Sequence, residues 1–174
     1  MTPAVLHGFT SGWNAILGPN GWVLIEPFGA GTEAKATPGG LSGELPAGLP
    51  ERFVVVTAAN PGGIELDEAE NRERYARLLE RIDRLEPFPR ETPVAFTSVG
   101  GLPKGPTPAT WSAREDGVAI DLSREEASML AAEFGQLAWY SFEGGRRLLV
   151  ATDDGILATQ PYRCHTGVAD RSVR

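Results

Sequence analysis

The 174-residue chain has one cysteine, two histidines and two lysines, and each scarcity excludes something. A lone thiol, Cys164, forms no internal disulfide, fits a reducing compartment and offers no cysteine cluster for zinc. His7 and His165 stand far apart and outside any HExxH-like frame, so zinc and iron sites have no support. Lys35 and Lys104 both lie in Gly/Pro-rich stretches, which argues against a buried catalytic amine. No GxSxG, Walker or GxGxxG pattern occurs. Cys164 and His165 are adjacent, so in an extended segment they point to opposite sides and make no dyad. No apolar run approaches the roughly 20 residues of a membrane span. Residues 1–17 lack the basic start and apolar core of a signal peptide. The expectation is a soluble, cytoplasmic protein with no cofactor, no metal and no membrane attachment.

What is abundant is acid, glycine and proline. Sixteen basic residues face 23 acidic ones, a net charge of −7, which disfavours nucleic acid because phosphate contacts dominate its affinity. The only basic cluster apparent in the sequence is Arg146-Arg147. Twenty-one glycines and 14 prolines concentrate in residues 29–50 and 100–108, both expected to be loops. The length suits one domain, predicted over residues 51–160. It is flanked by an N-terminal arm, residues 1–50, and a weakly held tail, residues 161–174.

Within the arm, Trp13–Leu17 and Trp22–Glu26 flank Gly18-Pro19-Asn20-Gly21, a hairpin signal. Phe53-Val54-Val55-Val56 is apolar throughout and reads as a strand buried on both faces. Asp67 and Glu70 then open a helix as a capping box. Tyr75, Leu78, Leu79 and Ile82 give that helix one apolar face. Glu70–Arg74, Glu73–Arg77 and Glu80–Arg84 stand at i,i+4 on its other side. Residues 93–99 read as a strand, and 110–113 and 118–122 as a hairpin around Asp116-Gly117. A second capped helix starts at Ser123 and stops at Gly135. A meander follows through residues 137–142, 147–152 and 156–159. This order predicts an α+β fold: a mostly antiparallel sheet with both helices on one face, in split βαβ (ferredoxin-like) order, extended by the C-terminal meander.

The turn Thr57-Ala58-Ala59-Asn60-Pro61, with Glu70-Asn71 and Arg74 on the helix, resembles an uncharacterised bacterial family, domain of unknown function 3293. The likeness continues through Trp111, Ser123-Arg124-Glu125-Glu126-Ala127 and Phe134-Gly135-Gln136, over about residues 53–150. It implies a shared fold unit and no particular chemistry.

Candidate site residues gather at that strand-to-helix turn. Asn60, Glu70, Asn71 and Arg74 bring an amide, a carboxylate and a guanidinium to a positive helix start, an arrangement suited to an anion. The plainer reading is an Asn-Pro turn, a capping box and a surface ion pair. Trp111 beside residues 100–108 reads as part of a lid or as core, and Gln136 as a site amide or a helix-exit residue. An acid–base role for Glu70 or Glu115 is permitted by the sequence without being indicated. Two functions remain open: a non-enzymatic module for a protein partner or a second copy, and a binding protein or enzyme for a phosphorylated or carboxylated small molecule.

Overall fold

The run Phe53-Val54-Val55-Val56 is fully or almost fully buried on both sides, so it needs an apolar environment on each. The fold supplies two. The computed structural model describes residues 2–18, 21–27, 42–43, 45–46, 49–85, 94–99, 114–153 and 155–168. In chain order the elements are α1 (Pro3–Ser11), β1 (Trp13–Gly18), β2 (Gly21–Pro27), β3 (Ser42–Gly43), β4 (Phe53–Thr57), α2 (Glu68–Asp83), β5 (Val94–Val99), β6 (Arg114–Ile120), α3 (Arg124–Glu133), β7 (Ala138–Glu143), β8 (Arg146–Ala151) and β9 (Ile156–Val168).

Hydrogen-bonded neighbours run β2-β1-β5-β6-β4-β7-β8-β9, and β9 pairs back onto β2, so eight strands form a closed ring. Every pairing is antiparallel, and β3 adds a two-residue bridge to β9. The fold is therefore a closed antiparallel β-barrel with few helices. This corrects the expected α+β, ferredoxin-like sheet with two helices on one face and a C-terminal meander. The hairpin assigned to an N-terminal arm provides two staves, with β1 against β5 and β2 against β9. β9 makes closure possible by changing partner along its length. Ile156–Pro161 pairs with β8, and Tyr162–Val168 pairs with β2. Closure also removes the free edges that an open sheet would expose.

Asp116-Gly117, expected as a hairpin turn, lies inside β6. A Cβ at Gly117 would stand 2.6 Å from the Val56 carbonyl oxygen, so glycine here permits a close approach of β4 and β6. The 29–50 stretch contributes only β3 and a few further described residues; the loop expected at 100–108 and the strand at 110–113 lie outside the described residues.

Alternation along the strands makes two cores. Inside the ring, Ile16, Ile25, Phe53, Val55, Phe96, Tyr140, Phe142 and Leu149 cluster, with Phe53 and Phe142 stacked at 4.8 Å. Outside, Val54, Val56, Val118, Ile120, Trp139 and Val150 lie under Leu78 and Ile82 of α2 and Ala127, Leu130 and Ala131 of α3. Both helices carry the expected capping boxes. No helix among the described residues is long and apolar enough to cross a membrane.

The helix α1, which no local sequence signal announces, packs Leu6 and Phe9 against the inner core. Arg147 holds it there. This side chain is 1 % exposed and donates to the carbonyls of Phe9, Thr10 and Gly12, to Asn14 Oδ1 and to Gln160 Oε1. It lies 4.9 Å from the Tyr140 ring, and Tyr140 Oη donates to the Phe9 carbonyl at 2.9 Å. The last carbonyls of a helix lack intrahelical donors and carry negative partial charge, so a buried guanidinium satisfies both needs. Burial lowers the Arg147 pKa, and Tyr140 opposes that shift. Arg147→Ala leaves several buried carbonyls unpaired. It is expected to cost about 3 kcal/mol or more in urea unfolding and to speed amide exchange in α1 first.

Candidate functional site

Where β4 stops pairing with β7, buried backbone groups need other partners. The ladder between them covers only Phe53, Val54 and Val55 on β4. Beyond it Ala58 and Ala59 are buried, and side chains reach their carbonyls. Arg74 Nε of α2 donates to Ala58 O at 2.6 Å, while its Nη2 donates to Phe134 O. Gln136, itself buried, donates from Nε2 to Ala59 O at 2.7 Å. Thr57 Oγ1 donates to Asp116 O at 2.7 Å and accepts from the Ala59 N–H at 3.1 Å.

The chain then reverses at Asn60, whose φ of 48° and ψ of 57° are left-handed, a conformation asparagine tolerates better than most residues. Local bonds hold it. Its N–H donates to Asn71 Oδ1 at 3.0 Å, and its Oδ1 accepts from the Leu66 N–H and Asn71 Nδ2, both at 3.0 Å. Its Nδ2 donates to Glu115 Oε1 at 2.8 Å. Gly62 N–H reaches Gly135 O at 2.8 Å, tying the loop to the end of α3.

Asn60, Asn71, Arg74 and Gln136 thus meet around one loop from different elements. Glu70 does not join them. It closes the capping box, exchanging bonds with Asp67 at 2.9 and 3.4 Å. The i,i+4 partnership expected of Glu70 and Arg74 is replaced by Arg74 binding the Ala58 and Phe134 carbonyls. The observed ion pairs of that spacing are Glu68–Arg72 and Glu80–Arg84. Trp111 lies outside the described residues.

Glu115 completes the cluster. The turn expected at Asp116-Gly117 gave Glu115, named only as a permitted acid–base group, no place beside Asn60, whereas the alternation Glu115, Gly117, Ala119 along β6 directs it toward the ring interior. Burial pushes its carboxyl pKa above the ordinary glutamate value, and the Asn60 hydrogen bond lowers it by less. Among the described residues, no three His, Cys, Asp or Glu side chains group to hold a metal ion.

Apart from this cluster, a concavity runs along α2. Arg74, Arg77, Arg81 and Arg84, with Glu80 of the same helix and Glu133 and Phe134 at the end of α3, line an open groove of about 310 Å³.

A family described as protein of unknown function (DUF3293) matches residues 56–138. That stretch carries the DUF3293 domain. It contains the Asn60 loop, both outer helices, β5 and β6, while β1, β2, β8 and β9 lie beyond it. No curated protein and no solved structure matches the chain.

The Glu115 carboxyl has a testable consequence. A pKa raised on folding gives a stability contribution that is complete below the unfolded value and lost as pH rises through the folded value. Relative to Glu115→Gln, the wild type should therefore gain unfolding free energy as pH falls from neutral through the carboxylate range. Parallel urea titrations of both proteins measure the difference, and parallel profiles would exclude a buried, raised Glu115.

Proposed function

We propose that the protein is a non-enzymatic binding module that presents the loop between Asn60 and Leu66 to a protein partner or to a second copy of itself. The supporting observation is a rigidly anchored loop with an exposed aliphatic side chain. Ile64 is 66 % exposed. An isolated exposed isoleucine is ordinary on a protein surface, so its anchoring carries the weight. Asn60 Oδ1 accepts from the Leu66 N–H at the far end of the loop, and Gly62 is bonded to Gly135 in the middle. A loop fixed in advance loses little conformational freedom when it is bound, which leaves more of the contact energy for affinity. The aromatic and aliphatic interior of the ring points the same way, toward recognition on the outside of the barrel.

A photo-crosslinking residue at position 64 should capture a discrete species in cells, while the same residue at the exposed position Leu157 should not. With the crosslinking residue moved to the neighbouring exposed position Glu65, Ile64→Asp should abolish that species with little change in melting temperature. Equal capture at positions 64 and 157 would refute the reading.

A second reading, a small-anion binding protein or enzyme at Asn60, Glu70, Asn71 and Arg74, is favoured by one observation, the raised Glu115 carboxyl beside Asn60. A ligand there has to displace an existing bond of Asn60 or Arg74. A rise in melting temperature with a sugar phosphate or organic acid, lost in both Arg74→Ala and Glu115→Gln, would favour this reading over the first.

A further inference from the structure

The arginines of α2 do not share one state. Arg74 is spent on the Ala58 and Phe134 carbonyls, and Arg81 is clamped by both Glu133 oxygens at 2.9 and 3.2 Å. Arg77 is exposed and has no hydrogen-bond or ion-pair partner among the described residues. Arg84 meets Glu80 at 3.6 Å with both side chains largely in water, a contact worth about 0–1 kcal/mol and easily exchanged. Two guanidinium groups are therefore available along one groove, separated by the neutralised Arg81–Glu133 pair.

Their spacing selects a ligand. Seven residues of helix place Arg77 and Arg84 about 10 Å apart along the axis, so one small anion does not bridge them easily. An extended segment in polyproline geometry repeats every three residues and about 9 Å, which sets two carboxylates three positions apart against the two arginines. Guanidinium groups also match carboxylates with paired, parallel hydrogen bonds. A nucleic acid fits less well, because its closely spaced phosphates would meet Glu80 and Glu133 in the same groove and a chain of net charge −7 around it.

We propose that the groove between α2 and the end of α3 binds an extended acidic segment of a partner protein, with Arg77 and Arg84 each taking one of two carboxylates spaced three residues apart. This surface is independent of the Ile64 loop, and its test does not touch that loop.

The test uses the full chain and a fluorescein-labelled peptide with glutamate at every third position between prolines and alanines, followed by anisotropy. Binding is expected to weaken about tenfold between roughly 50 and 300 mM salt. Combining Arg77→Glu with Arg84→Glu should cut affinity about tenfold or more, whereas Arg72→Glu, outside the groove, should leave it unchanged. Circular dichroism and melting temperature should be the same for all three proteins, since these side chains are exposed. Absence of binding, equal loss in Arg72→Glu, displacement by submillimolar inorganic phosphate, or tighter binding of an oligonucleotide of equal charge would each overturn the proposal.

Discussion

The pairing of β2 with β9 is the constraint on which the rest of this protein depends. Without it the strands form an open sheet whose inner side chains, including Ile25 and Cys164 on the two seam strands, face water. With it, each strand has a dry interior on one side and a second environment on the other. The seam is reinforced by side chains as well as backbone. Glu26 and His165 meet at 2.8 Å, and the His165 ring stacks on Trp13 from the next strand at 5.6 Å. Cys164, adjacent to His165 but turned inward, is buried, and its thiol is pushed up to about 11 by that burial. Closure thus leaves the only cysteine with little thiolate at neutral pH, a packing group rather than a nucleophile.

Closure also dictates what the polar residues near Asn60 do. A ring of short strands cannot keep every ladder complete, and β4 leaves β7 while still buried. Ala58 and Ala59 then present carbonyls with no strand opposite them. Arg74 and Gln136 come from two different elements to satisfy them, and Asn60 and Asn71 stabilise the reversal that follows. The need to pair buried backbone explains why such polar side chains crowd an otherwise apolar junction. The same bonds make the 60–66 loop stiff, so a structural requirement yields a pre-organised surface.

Much of the local structure was legible in the sequence because its causes are local. The capping boxes at Asp67 and Ser123, the apolar face of α2, the left-handed stop at Gly135 and the Gly144-Gly145 turn all follow from neighbouring residues. The closed ring was not legible, because it depends on contacts between residues over 130 positions apart, such as Leu24 with His165. No local pattern reports them. The Asp116-Gly117 pair shows the limit well: the same dipeptide that starts hairpins also serves where one strand must approach another closely. For the site, the grouping of Asn60, Asn71, Arg74 and Gln136 was visible as a set of polar residues near one turn. Their partners were not, since carbonyls carry no sequence signature, and the turn expected at Asp116-Gly117 gave no reason to set Glu115 against Asn60.

The division of arginine α2 follows from the same geometry. Its apolar stripe, Leu78 and Ile82, must face the outer core, which fixes the rotation of the helix about its axis. Arg74 and Arg81, half-buried beside that stripe, are brought against α3 and its exit and find partners there. Arg77 and Arg84, one step further round, are turned to solvent. Of the four arginines that line the groove, the helix therefore makes two structural clamps and two exposed cations, and the sorting is set by the barrel beneath it. A stripe that reads in sequence as a run of surface ion pairs becomes, once its rotation is fixed, a groove with one guanidinium unpaired among the described residues, Arg77, and one held only by a loose, solvent-exposed pair, Arg84 with Glu80.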